Sequence, residues 1–286
     1  MNEKTGIILE GGAMRSIYTA GIMDFYLDKN IHIPNMLAVS AGAYAGMNYV
    51  SNQRGRILDA VVKPMETEHM LGFRVLMKTG DFFNMDLLFN RIPREDCPFD
   101  FEAFQKSGKR FITSTTNCLT GECVYYDKFK DLDEFLKIIR VANSLPLLSR
   151  VGYIDDTPMM DGGMADAIPI QKALDEGWDK IIVVLSRDIN YRKIPGGDSY
   201  DNFLTKLVYH KYKELLKTIK SRPDYYNHSL DVVYELEQQG KAFVYRPEGI
   251  TLTNKESNPD VLRHYYQVGY EHAEARYDEL MEFLNK

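Results

Sequence analysis

The chain has 286 residues, enough for one α/β domain with a sizeable core, and 41 acidic against 35 basic side chains leave a net charge of -6. That excess of carboxylates argues against broad contact with a phosphate backbone, so nucleic acid is not an expected partner. Cys97, Cys118 and Cys123 form no C-x-x-C pair, which argues against a disulfide framework or a thiolate zinc site and fits the reducing cytoplasm.

Residues 1–4 carry Glu3 and Lys4 and lead into an apolar run at 6–9 that is too brief for the apolar part of a secretory signal. No run approaches the roughly 18 apolar residues of a membrane span, so any lipid must be met from the water side. Residues 5–9 read as a strand that ends in Gly11-Gly12, and 16–27 as a helix. The pattern repeats: a strand at 36–39 reaches Ser40, and small residues at 41–48 continue as a helix. Residues 110–126 predict a hairpin with halves at 111–115 and 122–126, and 131–142 an amphipathic helix opened by acidic residues. A second hairpin is expected at 151–160 around Asp155 and Asp156. Residues 180–185 read as a strand buried on both faces. Helical stretches at 200–222 and 259–285 flank a strand at 242–245. This α/β alternation predicts a central, mainly parallel sheet flanked by helices. With no repeat or linker, residues 1–286 read as one domain with a core at about 5–187 and a helical C-terminal part at about 188–286.

Three short stretches can carry chemistry. Gly11-Gly12-Ala13-Met14-Arg15-Ser16 joins a strand to a helix, where glycines permit a tight turn and a helix N-terminus favours an anion. A plain turn and a nucleotide loop are the other readings, although neither Walker spacing nor G-x-G-x-x-G is present. Ala38-Val39-Ser40-Ala41-Gly42 has the form of a nucleophile elbow with alanine in place of the first glycine. Asp161-Gly162-Gly163 follows a strand and precedes a helix expected near Ala165. A carboxylate placed there can take a proton from a serine, or can serve only as a turn or cap residue. His32, His69, His210, His228, His264 and His272 lie in no site-like turn, so a Ser-His-acid triad is not indicated.

In this order the three stretches resemble the patatin-like phospholipase family, in which a glycine-rich loop with a basic residue, a G-x-S-x-G elbow and a D-G-[GA] motif follow one another. The core between Thr5 and Arg187, including Ser144-Leu145-Pro146, is similar to that family as well. The resemblance implies α/β/α layers and a Ser-Asp dyad, with Ser40 as nucleophile and Asp161 as general base. It also implies an oxyanion hole at the backbone of Gly11, Gly12, Ala13 and Met14 near Arg15, and neither metal nor cofactor. The implied substrate is a lipid ester, with which a peripheral membrane contact is compatible; the oligomeric state is not legible.

Ala13, Ser16 and Ala38 stand where the family has glycine. If position 13 requires positive φ, its methyl costs on the order of 1 kcal/mol. Those replacements motivate a second reading, a catalytically weak member that binds lipid or a protein partner, and a nucleotide-binding protein is a third. Within 200–222, Leu204, Val208, Tyr212, Leu215 and Ile219 form an apolar stripe among Lys206, Lys211, Lys213, Lys217 and Lys220. Such a helix can lie on an anionic membrane surface or pack on the core.

Overall fold

The structure is a computed structural model that describes residues 3–249 and 252–286. Met1 and Asn2 of the N-terminal segment read above lie outside the described residues. In β1 (Thr5–Leu9) side chains alternate between two cores, Ile7 and Leu9 entering one and Ile8 the other. The chain leaves β1 through Gly11-Gly12 and a single 3-10 turn (Ala13–Arg15) into α1 (Ser16–Asp28). It returns as β2 (Asn35–Ala38), turns at Ser40 and continues as α2 (Ala41–Val50). Residues 51–109, for which the sequence suggested no element, hold α3 (Phe73–Thr79), α4 (Phe101–Lys106) and π-helical turns at Leu58–Val62 and Leu87–Asp96. β3 (Arg110–Asn117), β4 (Cys123–Tyr126), α5 (Leu132–Ala142), β5 (Gly152–Ile154) and β6 (Thr157–Asp161) follow. The rest of the chain forms α6 (Ile170–Asp175), β7 (Lys180–Val184), α7 (Phe203–Val208), α8 (Lys213–Gln238), β8 (Ala242–Tyr245), α9 (Pro259–Ala275) and α10 (Tyr277–Asn285).

β1 lies parallel between β2 and β7, with β3 parallel to β2 and β8 parallel to β7. β4 and β6 pair antiparallel with β3, and β5 with β6, so the sheet is mainly parallel, as expected, with an antiparallel end. The register on β3 has a geometric consequence. β2 pairs with Arg110–Thr113, β6 with Thr115–Asn117, and β4 with Thr113–Thr116. A strand has only two edges, and β4 occupies one, so β6 must continue the edge that β2 vacates after Ala38. The two strands meet end to end there: Ala38 faces Thr113, and Asp161 faces Thr115.

Helices cover both faces. α1, α2 and α9 supply Tyr18, Phe25, Met47, Leu262 and Tyr265 to the core above Ile7, Leu9 and Met36. α6 and α8 supply Ile170, Ala173, Leu230 and Val233 to the core below Ile8, Leu37 and Val183. α1 is buried nearly all round because α9 crosses it backbone to backbone. A Cβ at Gly21 would stand 2.1 Å from the Tyr266 carbonyl oxygen. α5 starts where expected because the Asp131 carboxylate accepts the Glu134 N–H at 2.9 Å, satisfying a free first-turn donor.

Two helical expectations need correction. The helix after Asp161 begins at Ile170 rather than near Ala165, because a 3-10 turn (Gly162–Met164) comes first and Pro169 sits at the helix N-cap. Residues 200–222 are not one helix: α7 ends at Val208, and α8 starts at Lys213 and runs past Arg222. The break arises from packing, since Tyr209 and Tyr212 are buried beside Met160 and Leu215, and the Tyr209 hydroxyl accepts the Leu147 N–H at 3.0 Å. The apolar stripe therefore divides. Tyr212, Leu215 and Ile219 belong to the core, while Leu204 and Val208 are exposed with Phe203 and Leu207. Among the described residues no helix is long and apolar enough to cross a membrane.

Candidate active site

Parallel strands β1, β2 and β7 deliver their C-terminal ends to one rim of the sheet, and chain order reverses around β1, which is where open α/β sheets form crevices. Ser40 sits at that rim on a sharp turn, with φ 54 and ψ -130. A non-glycine residue pays strain for such a backbone, on the order of 1–3 kcal/mol. The turn is tight because α2 begins against β1: a Cβ on Gly42 would lie 2.7 Å from the Leu9 carbonyl oxygen.

The end-to-end meeting of β2 and β6 brings Ser40 to Asp161. Ser40 Oγ donates to Asp161 Oδ2 at 2.5 Å, and Oδ1 accepts the Gly163 N–H at 2.8 Å. The Asp161 main chain is fixed too, its N–H donating to the Ser144 carbonyl at 2.9 Å and its own carbonyl accepting from Thr116 Oγ1 at 2.8 Å. Burial pushes the Asp161 carboxyl up to about 6, against the pull of the Ser40 and Gly163 hydrogen bonds. The group is thus a stronger base than an exposed aspartate while remaining ionised at neutral pH.

The loop after β1 runs against Ser40, closely enough that a Cβ on Gly11 would stand 2.7 Å from Ser40 Cβ. Among the described residues, the N–H groups of Gly11, Gly12 and Ala13 donate to no acceptor. Ala13 has φ 49, so the positive-φ condition attached to this position applies. Met14 is buried, and the Ser16 hydroxyl is buried with no partner among the described residues, whereas Ala38 lies within β2 in the core. Glu10, which the sequence did not single out, braces the loop from below. Its carboxylate accepts the Ser186 N–H at 2.6 Å and the Tyr226 hydroxyl at 2.8 Å, and Ser186 Oγ donates to the Gly11 carbonyl at 3.2 Å.

Ser40 opens onto two cavities of opposite character. A polar one contains Asp161 and Arg15 together with Arg187, Lys193, Tyr200 and Arg222. An apolar one is walled by Met14, Ile17, Tyr44, Val61, Leu88 and Phe89. Leu145 borders both. Six of these lining residues lay beyond sequence reasoning: the cations Arg187, Lys193 and Arg222 sit in no motif, and the π-helical turns carrying Val61, Leu88 and Phe89 lack clear periodicity. Among the described residues no histidine lines either cavity, and His272 Nδ1 instead lies 2.6 Å from the Tyr18 hydroxyl.

A family model described as patatin-like phospholipase matches residues 7–174, and one described as a domain of unknown function (DUF6363) matches 212–285. The uncharacterized protein YjjU of Escherichia coli (strain K12) is 23% identical over 239 residues, covering 77% of this chain. This chain spans 66% of the length of that relative. A crystal structure of VipD from Legionella pneumophila aligns with 97% of this chain and 67% of that one, at 14% identity and a TM-score of 0.49.

Proposed function

This chain belongs to the patatin-like phospholipase family, and from that premise we propose that it is a serine acyl hydrolase that cleaves carboxylic esters of lipids. The observation that carries the reading is the 2.5 Å hydrogen bond from Ser40 to buried Asp161, made where a polar and an apolar cavity meet. In this reading the acyl chain occupies the apolar cavity and the alcohol portion the polar one. Asp161 takes the hydroxyl proton as Ser40 Oγ attacks the ester carbonyl. The oxyanion that forms is received by N–H groups of the loop Gly11–Met14, each such donor being worth roughly 10²- to 10³-fold in rate. Collapse breaks the bond to the alcohol, which leaves with the proton held by Asp161, and an acyl group remains on Ser40. Asp161 then deprotonates a water that attacks this acyl-enzyme, releasing the fatty acid and restoring the serine. Every proton is handled by one carboxylate, so no histidine, metal or cofactor takes part. Free thiols at Cys97, Cys118 and Cys123 support a cytoplasmic setting.

A second reading, a lipid-binding protein with little turnover, is favoured by one observation: Ala13 holds a positive φ that the family's glycine would adopt without strain. The two are separated by a fluorophosphonate probe and a p-nitrophenyl butyrate assay. The hydrolase reading expects Ser40 to be labelled, and expects label and turnover to vanish in Ser40→Ala. Full turnover in Ser40→Ala would overturn it.

A further inference from the structure

The polar cavity carries more information than a place for an alcohol. Four cations line it with Ser40: Arg15, Arg187, Lys193 and Arg222. Two of them share one carboxylate, Asp198 Oδ2 lying 2.9 Å from Arg222 and 3.7 Å from Lys193. Among the described residues Arg15 and Arg187 have no carboxylate within ion-pair distance, and Arg15 Nε is buried without any partner. Of the two carboxylates that line the cavity, Glu10 has both oxygens engaged by Ser186 and Tyr226, and Asp161 has both engaged by Ser40 and Gly163. Burial and the neighbouring Arg187 charge both disfavour the charged form of Arg15, a cost that an incoming anion removes. Each tyrosine facing this space is covered by a cation of the protein itself. Arg187 stands 4.3 Å from the centre of the Tyr191 ring, Lys193 5.2 Å from Tyr226 and Arg222 5.7 Å from Tyr200. A quaternary ammonium needs a free aromatic face or a free carboxylate, and the described residues that line the cavity offer it neither.

Resting on the hydrolase reading above, we propose that the polar cavity is a head-group site that selects esters whose alcohol carries an exposed phosphate and turns away choline-type heads. Arg15 and Arg187 meet the phosphate oxygens, with Lys193 beside them, while the ester carbonyl lies at Ser40 and the acyl chain extends into the apolar cavity. Arg187, Lys193 and Arg222 lie beyond the residues matched by the patatin-like model, whereas Arg15 lies within them, so three of the four cations stand outside the family pattern.

The test compares three soluble single-chain esters: hexanoyl glycerophosphate, hexanoyl glycerol and hexanoyl glycerophosphocholine. We expect kcat/KM for the glycerophosphate ester to exceed that for the choline ester by about tenfold or more, the scale of one charge-assisted contact. Arg187→Gln and, separately, Lys193→Gln should each lower the ratio of glycerophosphate to glycerol ester by about tenfold, with melting temperatures used to verify folding. A ratio unchanged in both folded variants, or equal rates on the phosphate and choline esters, overturns the proposal. Calorimetry on Ser40→Ala provides a readout that needs no turnover: glycerophosphate should bind, and more tightly than inorganic phosphate. Equal affinity for inorganic phosphate would make this a free-phosphate site and overturn the head-group assignment. If the wild-type protein cleaves no ester, the hydrolase reading fails by itself, and absence of glycerophosphate binding in the same titration is what would sink the cationic site.

Discussion

Replacing Asp161 by Asn should destroy ester hydrolysis and, above neutral pH, make the protein more stable. The carboxyl titrates at about 6 in the folded chain against an ordinary value of 3.8. Between those values the folded state binds more protons than the unfolded one, so this group's contribution to stability falls as pH rises through the window. Above about pH 6 the penalty is complete: roughly 2 pH units at 1.36 kcal/mol each gives about 3 kcal/mol. Asn has nearly the same shape and keeps an oxygen for the Gly163 N–H, but carries no charge into the interior. For 286 residues, an unfolding entropy of about 0.6 kcal/mol/K turns 3 kcal/mol into a rise of about 5 °C in Tm. The assay is thermal unfolding of both proteins from pH 4 to pH 8, in which other titrating groups cancel in the difference. The Tm advantage of Asp161→Asn should be full at pH 8 and shrink steadily toward pH 4. Over the same range wild-type kcat/KM should climb about tenfold per pH unit and level off above about 6. A Tm difference that is flat with pH, or a variant less stable than wild type at pH 8, would refute the assignment of a buried, ionised base.

Further outcomes follow from other residues. Ala13→Gly should raise stability by about 1 kcal/mol, because φ 49 is unstrained only for glycine; a lower Tm in chemically and thermally matched samples would count against strain at that position. Replacing any one of the six histidines should leave substantial p-nitrophenyl butyrate turnover, and a loss as deep as that of Ser40→Ala would point to a hidden triad. Phe203, 80% exposed, opens α7 shortly after Tyr200 of the polar cavity, and Leu207 is exposed one helical turn further on. Phe203→Asp combined with Leu207→Asp should cut turnover on anionic vesicles at least about tenfold, since burying either side chain in lipid is worth roughly 1.5–3 kcal/mol. Soluble short-chain esters should be spared, and equal rates on vesicles would leave α7 without a membrane role.

Those features that depend on local pattern were legible in the sequence. β1, β2, β7 and both hairpins announce themselves as short apolar or β-rich runs bounded by turn residues, and Asp131 marks the start of α5 before any fold is known. Ser40 and Asp161 were legible as separate motifs, whereas their contact depends on the register of two strands on β3, which no single segment encodes. Residues 200–222 misled because a helical stripe continues through Tyr209 and Tyr212, and only the burial of those rings beneath Leu147 breaks the helix. Arg187, Lys193 and Arg222 were invisible for a different reason. Isolated basic residues, two on the segment after β7 and one within α8, look like any solvated surface until the fold turns them inward around Ser40.

The end-to-end junction of β2 and β6 on one edge of β3 works as a ruler with discrete marks. Pairing positions along a strand are about 3.3 Å apart, and consecutive side chains point to opposite faces. A slip of β6 by one residue would therefore carry the Asp161 carboxylate both out of reach of Ser40 and onto the wrong side of the sheet. No intermediate placement exists on that lattice. Mutations that loosen the β5–β6 hairpin should then divide molecules into a fully assembled population and an inert one, lowering the active fraction in an active-site titration while the turnover number of each remaining site stays constant.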